Sequence, residues 1–94
     1  MGSVASFIED KRKELHRLME GALLYVGVRE YDVGVTKRRG VDAYDPEKAL
    51  FVVKADTILE VDDEMLEFIK HNFRNRGYEV KSVHRNGLRL VLLI

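Results

Sequence analysis

The chain has 94 residues, enough for one domain with its own core yet small enough for a second subunit to supply much of the buried area. Its 16 basic and 16 acidic residues cancel, so no global field draws it to nucleic acid or to an acidic membrane. It has no cysteine, which removes disulfides, thiolate metal sites and cysteine nucleophiles from consideration.

No apolar run reaches bilayer length, and the start lacks the basic region and apolar stretch of a signal peptide. These features predict a cytoplasmic protein with no membrane partner. A charged fraction of 34% is thermophile-like in its capacity for surface ion pairs.

A first helix is predicted over residues 6–20, where Ser6-Phe7-Ile8-Glu9 has the form of a capping box and Gly21 offers a stop. Val4, Ile8, Leu15, Leu18 and Ala22 form its apolar seam. Lys11 interrupts that seam, which is too short for a coiled coil and suits a helix laid on a sheet.

Residues 22–36 read as strand with a change of phase. Leu24, Val26 and Val28 share one parity, Tyr31, Val33 and Val35 the other, with Arg29-Glu30 between, so a bulged strand or two short strands are expected. The stretch from Lys37 to Lys48 reads as an exposed loop in which Asp45-Pro46 opens a type I turn. Residues 49–55 are a continuous apolar run with β-branched and aromatic side chains at its centre, broken only by Lys54, the composition of a central strand.

The clearest local code lies in residues 61–94. Asp62 stands at an N-cap position, Val61 and Leu66 have the spacing of a hydrophobic staple, and Met65, Leu66, Ile69 and Phe73 share one helical face. Gly77 supplies the left-handed residue that ends such a helix. Beyond it, residues 78–84 and 88–94 flank Arg85-Asn86-Gly87, and Asn-Gly at the centre predicts a type I′ hairpin with His84 opposite Arg89, Ser82 opposite Val91 and Val80 opposite Leu93. The last strand is apolar except for Arg89, which predicts burial on both sides.

The fold class expected is therefore α+β: one domain over residues 1–94, in the order α-β-β(-β)-α-β-β, with two helices on one mixed or antiparallel sheet ending in a β-hairpin.

No catalytic set is legible. His16, His71 and His84 lie in different elements without metal-ligand spacing, the serines lack a nucleophile elbow, and the glycines form no phosphate loop. A protein without a cofactor or resident metal, and more readily a non-enzyme than an enzyme, is expected.

What stands out is charge segregation. Lys70, Arg74, Arg76, Lys81, Arg85 and Arg89 occur with Glu79 as the one acid among them, Tyr78 lies in their midst, and Lys37, Arg38 and Arg39 form a second cluster. Such cations could hold phosphates and Tyr78 could stack on a base, making these ten residues a candidate surface for RNA or DNA. The competing reading makes Arg74 and Arg76 complements of a helix dipole, Lys81 and Arg85 the solvated face of a hairpin, and Lys37 to Arg39 a loop.

Two resemblances bear on this choice. The order helix, strands, helix, strand, with Asp42 in GVDAYDPEKALFVVKAD and Lys54 near its end, resembles the core of restriction-endonuclease-like nucleases. In that family an Asp and an acid-x-Lys pattern on adjacent strands bind metal and orient water; here Val52 stands where the second acid belongs. The segment FRNRGYEVKSVHRNGLRL resembles part of the catalytic domain of tRNA-splicing endonucleases, whose catalytic residues lie further toward the C-terminus.

Three functions follow as expectations. The first is a self-associating domain, a homodimer burying the last strand or the first helix, with a basic nucleic-acid surface. The second is a structural or protein-interaction module whose partner surface is the C-terminal strand. The third is a metal-dependent nuclease using Asp42 and Lys54.

Overall fold

The computed structural model describes residues 4–37 and 51–94. Six elements follow one another: α1 (Val4–Tyr25), β1 (Tyr31–Lys37), β2 (Phe51–Thr57), α2 (Asp63–Asn75), β3 (Ser82–Asn86) and β4 (Arg89–Leu93). The strands form one sheet in the order β1-β2-β4-β3 with every pair antiparallel. The α+β class, the element order and the closing hairpin are as expected, and the sheet is antiparallel rather than mixed. The turn at Asp45-Pro46, the beginning of the strand at Ala49, and Arg38, Arg39 and Asp42 lie outside the described residues.

The first helix corrects the sequence reading. It runs through Gly21 to Tyr25, and residues 22–25 are helix rather than strand. A glycine inside an exposed helix costs about 1 kcal/mol relative to alanine, whereas burying one leucine returns roughly 1.5–3 kcal/mol. Leu15, Met19, Ala22 and Leu23 are all buried, a three-and-four spacing that carries the core face past the glycine. Ser6 lies inside the helix and so is not its N-cap.

The stop is Gly27, with φ +96°. There the Val28 amide donates to the Leu23 carbonyl (2.9 Å) and the Gly27 amide to that of Leu24 (3.1 Å). This is the Schellman pattern, and Leu23 and Val28, its two apolar contact positions, are both buried. The change of phase near Arg29 is thus the passage from a helical period to a strand period.

The second helix begins and ends as its sequence implies. The Met65 amide donates to Asp62 Oδ1 at 2.9 Å, and Asp63 and Glu64 occupy the first turn. At its end the Tyr78 amide donates to the Phe73 carbonyl, the Gly77 amide to that of Arg74, and Gly77 has φ +86°. Leu66, Ile69 and Phe73 face the core.

The hairpin forms, with its register moved by two residues. Asn86 pairs with Arg89, Arg85 with Leu90, His84 with Val91 and Ser82 with Leu93, leaving Gly87-Leu88 as the loop. Among the described residues only glycines have positive φ, so Gly87 (φ +60°) meets the requirement of a type II′ turn, and Asn86 does not adopt the left-handed geometry that a type I′ turn centred on it needs. A shift of two preserves the period of a strand, so the side chains of Ser82–Asn86 and Arg89–Leu93 remain on their expected faces, whereas Tyr78 and Val80, expected within the strand on its open face, precede it and pack against the core. Thr57 also holds this end of the sheet, its buried hydroxyl lying 2.6 Å from the Leu59 carbonyl and 3.2 Å from that of Leu88.

Both helices cover the same side of the sheet. Phe51, Val53 and Ala55 of β2, and Leu90, Leu92 and Ile94 at the C-terminal strand, join Val35 and the helical residues in one core. The expectation that the last strand is buried on both sides is not met: Val91 and Leu93 are part-exposed and Arg89 is exposed. The mean apolarity of that strand conceals a covered side and an open one.

Candidate interaction surface

Strand parity builds the open side of the sheet. In an antiparallel sheet alternate residues project to opposite faces, so the register places three rows of four across the face that, among the described residues, neither helix covers. The first is Asp32-Asp56-Arg89-Asn86, the second Gly34-Lys54-Val91-His84, and the third Thr36-Val52-Leu93-Ser82, each read from β1 across β2 and β4 to β3. All twelve are exposed or part-exposed.

The apolar residues Val52, Val91 and Leu93 occupy the two central strands and the charged pair lies at one end. Arg89 Nε donates to Asp56 Oδ1 at 2.7 Å and its Nη2 to Oδ2 at 3.3 Å. The hydrogen bond from Arg89 holds the Asp56 carboxyl below the usual carboxylate range, and it holds the guanidinium above its own ordinary value.

Of the ten residues singled out as a nucleic-acid surface, the eight described ones do not lie together on one face. Lys37 ends β1 on its helix-covered side, and Arg38 and Arg39 lie outside the described residues. Lys70 Nζ lies 2.8 Å from Glu67, which that hydrogen bond holds below its ordinary carboxylate value. Arg85 is on the helix side of the hairpin, where it donates to the Val61 carbonyl at 2.9 Å and pairs with Asp63. Arg89 is the Asp56 partner on the open side. Arg74, Arg76 and Lys81 are exposed and belong to no ion pair among the described residues.

Tyr78 is built into the domain. Its hydroxyl donates to Glu14 of α1 at 2.6 Å, and the Lys11 ammonium lies 5.3 Å from its ring centroid. The ring read from sequence as a platform for a base thus joins the end of α2 to α1. Desolvation, with the Glu14 carboxylate second, raises the Tyr78 hydroxyl above its ordinary value. Because the folded value is the higher one, this contribution is intact below about pH 10 and declines as pH rises beyond it. Tyr78→Phe is therefore expected to flatten the alkaline limb of a denaturation-midpoint profile between about pH 9 and 11, relative to the wild type. Parallel limbs would show that the hydroxyl carries no such linkage.

Two open clefts flank α1. One of about 630 Å³ is lined by Asp10, Lys13, Glu14, Arg17, Leu18 and Arg76, and a second of about 280 Å³ lies between α1 and Val35. Both linings mix charges of either sign. In the second, His16 has both ring nitrogens occupied, Nδ1 at 2.8 Å from Glu20 and Nε2 at 3.0 Å from the Val33 carbonyl. Among the described residues no group of three His, Asp or Glu could hold a metal ion, and no helix is long and apolar enough to cross a membrane. Lys54 stands on the open side two residues from Asp56, and Asp42 lies outside the described residues.

Val91 and Leu93 of this face belong to the C-terminal strand already read as a partner surface, whereas Val52 and Asp56 were not chosen as a site from sequence. Their signal was strand parity alone. The chain matches no family model, no curated protein and no solved structure.

Proposed function

We propose that this domain is a protein-interaction module that associates with a second copy of itself. The observation that carries the reading is the uncovered side of the sheet, where Val52, Val91 and Leu93 remain part-exposed on the two central strands. Isolated surface hydrophobics need no explanation, but apolar side chains adjoining one another on a pleated face beside a fixed ion pair form a surface suited to docking. The pairing of Lys70, Arg85 and Arg89 with acids also weighs against a basic surface, since a neutralised cation releases fewer counterions on meeting a phosphate.

Sedimentation velocity from about 10 μM to 1 mM tests the reading directly. Association that grows with concentration is the expected result, and a monomer throughout removes it.

Arg74, Arg76 and Lys81 support a second reading, in which the end of α2 and the chain leading into β3 hold a phosphate backbone. Anisotropy titration of labelled RNA and DNA at low and moderate salt decides it. Binding that weakens steeply with salt supports this surface, and no binding at low salt removes it.

A further inference from the structure

We infer that the second copy docks face to face on the uncovered side of the sheet, about a two-fold axis running parallel to the strands between β2 and β4. This inference rests on the self-association proposed above and assigns its surface, symmetry and register.

The strand order β1-β2-β4-β3 puts two strands on either side of that axis. Rotation about such an axis exchanges the two central strands, so β2 of one copy lies over β4 of the other while each row stays over itself. Isologous contacts of this kind must be self-complementary. At the centre of the first row Asp56 then meets Arg89 of the second copy and Arg89 meets its Asp56, which converts two separate ion pairs into one four-charge network.

In the third row Val52 meets Leu93 in both directions. In the second, Lys54 meets Val91, its stem over the valine, with Asp56 two residues along the same face. At the margins His84 of β3 faces Gly34 of β1, a projecting ring over a position with no side chain. Twisted sheets that pack in this way keep their strand directions within about 30° of one another, so the central columns retain these contacts best.

A second copy is thus the occupant whose charges complement this face. Four strands about 4.8 Å apart and five residues long give a footprint of roughly 300 Å² per copy. A standard interface buries about 800 Å² per partner. The dimer is accordingly a weak, transient one.

The test uses the full chain with two opposed charge reversals, Asp56→Arg and Arg89→Asp, in sedimentation equilibrium, with circular dichroism to verify folding. Each variant alone sets like charges against each other across the axis, and its dimer dissociation constant is expected to rise at least about tenfold. In an equimolar mixture, a chain with arginine at both positions meets a chain with aspartate at both, so every charged contact across the axis again joins opposite signs. The mixture is expected to recover heterodimer at near wild-type strength. Pairing within a chain remains broken in both variants, so recovery reports the contact between copies.

Leu93→Glu, which changes a part-exposed position, is expected to weaken association without unfolding the domain. A wild type that stays monomeric overturns this inference together with the reading beneath it. A wild type that associates, with the mixture no stronger than either variant alone or with Leu93→Glu unaffected, overturns the face and register and leaves self-association standing.

Discussion

Truncating Phe73 to alanine is expected to lower the unfolding free energy by about 3–5 kcal/mol, read as a fall in the urea midpoint at unchanged slope. Phe73 is fully buried, on the α2 face that carries Leu66 and Ile69. Its carbonyl also accepts the Tyr78 amide at the end of the helix, where Gly77 turns the chain toward the hairpin. Removing the ring leaves a cavity in the core shared by both helices and the sheet, and the helix end above it is fixed by backbone hydrogen bonds that resist collapse. A loss below about 1 kcal/mol would mean that the site repacks and that α2 is loosely held.

The second large effect distinguishes two adjacent leucines. Leu23→Ala is expected to cost about 2–5 kcal/mol, and Leu24→Ala to stay within roughly 0.5 kcal/mol. Leu23 is fully buried and Leu24 is 53% exposed. A strand through residues 22–28 would instead have placed Leu24 beside Val26 and Val28 on one face. The pair of measurements therefore reports the secondary structure of this segment: comparable costs at both positions would refute the extension of α1 through Gly21.

The candidate site was legible in sequence only in pieces. Arg85 and Arg89 were singled out for their charge, and their partners Asp63 and Asp56 come from distant parts of the chain. Asp56 reaches Arg89 only because β2 and β4 lie side by side, a pairing between strands separated by α2 and β3. Tyr78 was read as a free aromatic because its partner Glu14 is 64 residues away. No local code announces such a contact. Lys54 was noted for a resemblance to a catalytic pattern, whereas its place on the uncovered face follows from its parity opposite Val91.

Local chemistry determined α2, its Asp62 cap and its Gly77 stop, because each depends on residues within one turn of the helix end. The sequence alone likewise determined the hairpin and the faces taken by Ser82–Asn86 and Arg89–Leu93, since period two survives a register shift of two, but not the placing of Tyr78 and Val80, which the core draws out of the strand. Tertiary structure decided the remainder. Gly21 looks like a helix stop by propensity, yet the core that receives Ala22 and Leu23 outweighs the glycine and carries α1 onward to Gly27.

The position of both helices on one side of the sheet was also a tertiary decision. The alternation of Leu90, Leu92 and Ile94 with Arg89, Val91 and Leu93 contains only apolar residues apart from the arginine, so hydrophobicity alone cannot distinguish a strand covered twice from one covered once. That choice rests on where α1 and α2 pack, and it leaves Val52, Val91 and Leu93 accessible to a partner.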